Sequence, residues 1–489
     1  MFVHDLIRSG NSNDFVIRGE ESITYGQLQS EVSEYRRYFY AQGISGGDNV
    51  GLFSRNSVEY ICSYMAVISL GAVIVPLNFQ LSNREIAYII KDAKLERLIT
   101  MEELKLAEPL QQIGHKGTVE QLVIPEFKKI LGAGRYPEAP ALSGITEEDP
   151  CVIIYTSGTT GSPKGAVLSH KNLVSNARAF REILQAIPTD TVLCVLPMYH
   201  CFAWTCAVLN SLLCGAAMTI LDGFSPKETL AAIKKYTVTV VYGVPPMYNI
   251  LARLGEAADL NSVRIFVSGG AALPKKVAEA FAQKYGRPII EGYGLSEASP
   301  VVALNPPERT KSGSIGRALP GLAVAVLDEN DREVPNGQVG ELAVRGPSVM
   351  KGYFHLPAET AQALRGGWLH TGDLAYKDQD NYFFIVDRLK DMIITNGENI
   401  YPREIEELLY AYPGIVEAAV IGVPDELRGQ QAAAYLVLAE GKTLDKKELR
   451  EFLGANLAAY KVPRDFIQVD DLPKNATGKI LKRVLRDKL

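Results

Sequence analysis

From about residue 52 to about residue 300 the chain alternates short apolar, β-branched runs with longer helical stretches, and few architectures accept that rhythm. The runs at 73–76, 192–196, 218–221, 238–242 and 265–268 are of strand length, and the segments between them are long enough for crossover helices. The pattern predicts layered α/β structure. Around 323–327 and 340–344 the spacing shortens and turns rich in Gly, Pro and Asn appear, which predicts a smaller β-rich unit over about 305–387. Asp387-Arg388-Leu389-Lys390-Asp391 puts four charges in five positions and marks a boundary. Beyond it a strand (392–395), a helix (402–411) and a strand (416–421) predict a small α+β domain. It ends in a basic tail with Lys474, Lys479, Lys482, Arg483, Arg486 and Lys488. The expected division is an N-terminal domain over 1–387, a linker at 388–391 and a C-terminal domain over 392–489.

At 489 residues, the chain is long enough for two to four structural units with a large core. Its 51 basic and 56 acidic residues give a net charge of −5, which argues against a nucleic-acid partner. The six cysteines, Cys62, Cys151, Cys194, Cys201, Cys206 and Cys214, form no CxxC pair, so a zinc site is not expected, and buried thiols in a reducing compartment are. The first residues lack the basic start and apolar run of a signal peptide, and a cytoplasmic location is expected. Two apolar stretches, 60–77 and the uncharged 191–221, approach the length of a membrane span. Gly71 interrupts the first, and Pro197, His200, Asn210 and Gly215 the second, so both read as buried helix beside buried strand. No transmembrane segment is expected.

The strongest chemical signal is Tyr155-Thr156-Ser157-Gly158-Thr159-Thr160-Gly161-Ser162-Pro163-Lys164-Gly165, set between apolar runs. Five hydroxyls and the glycines let side-chain and backbone donors converge on an anion, and Lys164 adds charge. A Walker loop would open a helix with GxxxxGK[ST]; neither that spacing nor the strand-like continuation matches.

Four more motifs follow in order. They are Glu291-Gly292-Tyr293-Gly294-Leu295-Ser296-Glu297, Gly367-Trp368-Leu369-His370-Thr371-Gly372-Asp373, the charged 387–391 segment, and Pro473-Lys474-Asn475-Ala476-Thr477-Gly478-Lys479. Over nearly its whole length the chain resembles the adenylate-forming enzymes, which include acyl-CoA synthetases, adenylation domains and beetle luciferases. It is most like a bacterial fatty acyl-CoA synthetase. The resemblance implies an ATP- and CoA-using, Mg²⁺-dependent ligase with a mobile C-terminal domain.

Residue by residue, the resemblance places Thr156, Ser157, Gly158, Thr159, Thr160 and Lys164 at the phosphates. Gly270, Ala271, Glu291, Gly292, Tyr293, Gly294 and Ser296 fall around the nucleotide. Glu297 becomes a hard oxygen ligand for Mg²⁺, Asp373 the acceptor of the ribose hydroxyls, and Arg388 a ribose and phosphate contact. Lys390 becomes the hinge, and Lys479 the lysine bridging carboxylate and phosphate. His200, Trp204, Tyr242, Gly243, Gly269 and Gly294 would line the acyl pocket, with Trp204 as a gate one helical turn beyond His200 and Cys201 and Phe202 as neighbours. In Gly292-Tyr293-Gly294 the glycines are expected to permit close approach to the nucleotide. Gly397 and Glu398 would border the CoA tunnel, where Asn396 replaces a common glycine.

None of the three pocket walls, 242–247, 267–271 and the 196–204 run, carries a charge to pair a second carboxylate or an ammonium. A medium- or long-chain fatty acid is the first expectation and an aromatic acid the second. Loading of a carrier protein is the alternative to CoA; a luciferase-like oxygenase and a regulatory nucleotide-binding module are more remote. A homodimer, and a lysine acetyltransferase acting on Lys479, are further expected partners.

Overall fold

The computed structural model describes residues 1–132, 134–156, 163–254, 256–475 and 478–487. Two large sheets carry the N-terminal part. One has seven strands in the order Gly352–Tyr353, Lys164–Ser169, Pro150–Thr156, Val73–Pro76, Asn49–Phe53, Arg97–Thr100 and Glu120–Val123. The other has nine, with Thr191–Cys194, Val240–Gly243, Ile265–Ser268 and Ile289–Gly294 as parallel neighbours at its centre. The β-branched runs therefore form fully buried strands, as parallel strands covered on both faces must be.

The first apolar stretch is the helix Val58–Ser69 followed by the strand Val73–Pro76. Ser57 caps the helix by accepting from the Tyr60 N–H at 3.1 Å, and Gly71, at φ +79°, turns the chain out of it. Every residue from Tyr60 to Ser69 is buried, because the helix belongs to one core shared by both large sheets. The second stretch runs through the strand Thr191–Cys194, the π-helix Ala203–Leu209 and the helix Asn210–Cys214 into the strand Ala217–Ile220. Among the described residues no helix is long and apolar enough to cross a membrane. All six cysteines are buried and unbridged.

An antiparallel four-stranded sheet, Ala323–Leu327, Gly340–Arg345, Leu369–Lys377 and Phe383–Arg388, forms the β-rich part. The C-terminal part builds a five-stranded sheet around the hairpin Ile415–Asp425 and Gly429–Leu438, with its own core of Ile405, Leu409, Val420, Leu436, Leu449 and Phe466.

Candidate active site

The Ser/Thr/Gly string joins two antiparallel strands, with Thr156 opposite Lys164. The described chain resumes at Pro163 and enters the strand Lys164–Ser169, not a helix. Ser157, Gly158, Thr159 and Thr160 lie outside the described residues. At its exit the Lys164 ammonium stands 5.5 Å from the centre of the Tyr353 ring, and the Tyr353 hydroxyl donates to Glu297 Oε1 at 2.9 Å. Tyr353 is a site residue that sequence reasoning missed. No motif marks it, and only the pairing of Gly352–Tyr353 with Lys164–Ser169 brings it in.

The strand Ile289–Gly294 delivers the second motif. Its glycines have a packing role within the chain. A Cβ on Gly294 would stand 2.3 Å from the Pro300 carbonyl oxygen, and one on Gly292 would stand 2.8 Å from Leu304 Cδ1. Each glycine is thus required for the close approach between this strand and the returning chain. Between them the Tyr293 hydroxyl donates to Asp373 Oδ2, while Arg388 Nε pairs with Asp373 Oδ1 at 3.2 Å. Asp373 and Arg388 face each other in register on adjacent strands, which is why two distant motifs meet. Glu291 is buried and accepts from the Leu273 N–H at 3.1 Å; burial pushes its carboxyl up to about 7, against the opposing pull of Arg403. Ser296 Oγ lies 3.3 Å from Cys201 Sγ. Gly270, at φ +78°, and Ala271 continue the turn after the strand Ile265–Ser268.

His200 is drawn into the same place. Its Nδ1 accepts from the Phe202 N–H at 3.2 Å, so a neutral ring carries its proton on Nε2. Burial, and secondarily Lys479, lower its pKa to about 4. The C-terminal part contributes Lys479. A Cβ on the preceding Gly478 would lie 3.6 Å from Val244 Cγ2 and Pro246 Cγ, which seats the turn on the expected pocket wall. Burial, with Arg388 next to it, lowers the Lys479 pKa to about 8, and Asp373 opposes the fall. Two residues 279 positions apart, His200 and Lys479, are thereby neighbours.

Among the residues expected to line an acyl pocket, Phe202 and Trp204 pack on different neighbours. Phe202, not Trp204, faces Tyr242, at 6.1 Å between ring centres, and it fills the space over Gly269, where a Cβ would come within 3.1 Å of the ring. Gly243 is packed against Tyr248. Trp204 lies two residues on and so points elsewhere around the helix, against Tyr64 and Tyr60. Gly397 and Glu398 are not gathered into this site. They form the turn and first strand residue of an exposed hairpin, with Asn396 at φ +51° and Gly397 at φ +84° between the paired Thr395 and Glu398. Both turn positions need positive φ, a conformation that asparagine tolerates, which accounts for Asn396. Lys390 sits in the short 3₁₀ turn Leu389–Asp391 that follows Arg388.

The AMP-binding enzyme family matches residues 8–354, and the AMP-binding enzyme C-terminal domain matches residues 404–479. The chain belongs to this adenylate-forming family. Feruloyl-CoA synthase from Amycolatopsis sp is 37% identical over 475 residues, covering 96% of this chain and 95% of that protein. A long-chain-fatty-acid–CoA ligase of Bacillus subtilis (strain 168) is 35% identical, covering 95% and 90%. The crystal structure of ATP-bound MatB from Rhodopseudomonas palustris superposes with a TM-score of 0.92 at 33% identity, over 100% of this chain and 99% of that one. The adenylate-forming chain is an ATP-dependent acyl-CoA ligase. Its large N-terminal and small C-terminal domains match the solved relatives.

Proposed function

We propose that this ligase first joins an uncharged carboxylic acid to AMP, at the point where Lys479 meets His200, and then passes the acyl group to CoA. The observation that carries this reading is the arrival of Lys479, from the C-terminal domain, beside His200, Arg388 and Asp373 of the N-terminal part. In the first step a carboxylate oxygen attacks the α-phosphorus of ATP and pyrophosphate leaves; in the second the CoA sulfur attacks the acyl carbon and AMP leaves. The first step needs reactants held in line and cations around a crowded phosphorus.

The geometry supports a role for each group. Neutral His200 presents Nε2–H as a donor to the acid without adding charge. Lys479 bridges carboxylate and phosphate oxygens, and the arriving anions hold its proton in place. Asp373, buried and already accepting from Tyr293 and Arg388, is placed to receive the ribose hydroxyls. Lys164 and Thr156 stand at the two ends of the phosphate loop. Glu297 suits Mg²⁺. The described residues hold no group of three acidic, His or Cys side chains that could bind a metal, and the described hydrogen bond to the Glu297 carboxylate comes from Tyr353. One carboxylate, completed by phosphate and water oxygens, fits an ion that arrives with its nucleotide. Bound there, the ion would neutralise charge on the departing pyrophosphate. Lys390 is proposed as the pivot that later carries Lys479 away and the 396–398 hairpin toward the site.

For the acid, Phe202, Tyr242 and Gly269 offer an aromatic, uncharged wall that suits an alkyl or aryl body. The relatives' names fall on both sides of that choice, long-chain fatty acid and ferulic acid. The test is a panel of fatty and aromatic acids, assayed for acid-dependent ATP–pyrophosphate exchange and for CoA-dependent AMP release. Exchange with no acid of the panel would sink the reading; AMP release only with a phosphopantetheinylated carrier would replace CoA as the acceptor.

A further inference from the structure

Of the motif 367–373 only Asp373 has been given a role, yet the strand that carries it breaks its ladder at that point. Against Gly340–Arg345, His370 pairs with Ala343 and Leu374 with Glu341, so one residue, Leu342, opposes three: Thr371, Gly372 and Asp373. A bulge of this kind bends a strand and re-aims its side chains, and bulges gather beside active sites. Here it turns Asp373 toward Tyr293 and Arg388. Gly372 sits at φ +71° with nothing near enough to crowd a Cβ, so what the glycine supplies is the backbone conformation.

Side chains hold the bulge where the ladder cannot. Thr371 Oγ1 donates to the Leu342 carbonyl at 2.7 Å and accepts from the Asp373 N–H at 3.2 Å. The Gly372 N–H donates to Glu341 Oε1 at 2.9 Å. The other oxygen of that carboxylate, Oε2, accepts from His370 Nδ1 at 2.8 Å and from Arg365 Nη2 at 3.0 Å. Asp331 Oδ1 stands behind both donors, 3.6 Å from His370 Nε2 and 3.3 Å from Arg365 Nε. The side chains of His370 and Glu341 are only 3% and 15% exposed. Taking a carboxylate so far out of water is costly, and an apolar cross-strand pair would join these strands without that cost. What the carboxylate adds is a fixed acceptor for the N–H of the residue before Asp373. Gly372 is also the residue with most backbone freedom in the bulge, and its torsions set the direction in which Asp373 points.

We propose that Glu341, braced by His370 and Arg365, is a positioning residue for Asp373: by holding the Gly372 N–H it fixes the bulge that aims the Asp373 carboxylate at the ribose hydroxyls of the nucleotide. This rests on the reading of Asp373 as the ribose acceptor. Glu341 itself touches no substrate. Its influence is confined to the ribose, because the bulge carries Asp373 and neither the phosphate loop nor the acyl wall. Reach and charge can be separated at this position. Glu341→Asp keeps the charge that Arg365 and His370 meet but is one methylene too short to hold the Gly372 N–H. Glu341→Gln keeps the reach: its amide oxygen accepts from Gly372, its NH₂ donates to a His370 ring that carries its proton on Nε2, and Arg365 retains Asp331.

The test is calorimetric binding of ATP and of 2′,3′-dideoxy-ATP, each with Mg²⁺, to the full-length protein; the second nucleotide has no ribose hydroxyl for Asp373 to accept from. Wild type should bind ATP about tenfold or more tightly than the dideoxy nucleotide, the scale of hydrogen bonds to a charged acceptor in a site built for them. Glu341→Asp should bring that ratio to within about threefold of one, chiefly by weakening ATP, and Glu341→Gln should keep the wild-type ratio. A merely structural role would weaken both nucleotides alike and leave the ratio where it was. The proposal is overturned if Glu341→Asp keeps the wild-type ratio, or if Asp and Gln compress it equally, which would assign the effect to charge and not to the held N–H. Equal binding of the two nucleotides by wild type would overturn it together with the ribose role of Asp373. The ligase reading is tested apart from all of these, by acid-dependent pyrophosphate exchange, so its failure is distinct.

Discussion

Lys479 is asked to be a cation in a place that disfavours one, and this sets a measurable pH dependence. In an unfolded chain its ammonium holds the proton to about 10.5; in the folded site burial and Arg388 bring that to about 8. The folded protein therefore bears a cost for the charged form of up to about 3 kcal/mol at neutral pH. That is an upper bound, because the side chain keeps partial contact with solvent. Stability linked to this group rises as pH climbs from about 8 to 10.5, while the cation proposed to serve adenylation disappears over the same range. Folding and chemistry pull in opposite directions, as is common for functional groups. The assay is kcat/KM for ATP in acid-dependent pyrophosphate exchange between pH 6.5 and 9.5. The rate should fall about tenfold per unit above pH ~8. Lys479→Arg, which does not titrate in this range, should lose the inflection. Lys479→Met should melt higher than wild type at pH 7, yet adenylate at least about 10²-fold more slowly, the scale of one deleted transition-state donor. A wild-type profile flat to pH 9.5, or an inflection near 8 that survives in Lys479→Arg, would refute the reasoning.

Asp373→Asn removes the charge that holds Arg388 Nε and Tyr293 together, and should raise KM for ATP about tenfold or more while leaving KM for the acid nearly constant; steady-state kinetics with each substrate varied checks this. Gly294→Ala forces a methyl to 2.3 Å from the Pro300 carbonyl oxygen and should cost at least about 2 kcal/mol, read as a lowered melting temperature; an unchanged melt would mean the two strands can part cheaply. Glu291 keeps its proton to about 7 in the folded state against 4.5 when unfolded, so its contribution to stability is lost as pH rises through that window. Glu291→Gln still accepts from Leu273 N–H and should flatten the difference between urea unfolding curves at pH 5 and pH 8; an unaltered difference would assign the pH dependence to other groups.

Much of this protein is local in sequence and was legible there. Strand-length β-branched runs separated by helical segments suffice for layered α/β structure, because short buried strands joined by crossovers have few other ways to hide their backbones. Glu297, Asp373, Arg388 and Lys479 stood out because each is embedded in a motif whose neighbours set its backbone. The Asn396-Gly397 pair, read in the sequence only as the border of a CoA tunnel, is a two-residue turn in the structure. Tyr353 carries no such signature, since a tyrosine among apolar residues reads as core whether or not its hydroxyl has a partner. Nor could sequence tell that Phe202 and Trp204 face opposite ways. Spacing gives their relative angle around the helix, but only packing against Val58–Ser69 on one side and Gly269 on the other decides which ring meets which wall. The sequence by itself determined the family and the layered fold class, and it supplied the residues proposed as reacting groups, all of which depend on residues close together in the chain. Tertiary structure alone decided the company those groups keep: Lys479 beside His200, Asp373 hydrogen-bonded to Tyr293, and Trp204 against Tyr60 and Tyr64. Those contacts span tens to hundreds of residues, and each exists only because two sheets and a second domain close on one another.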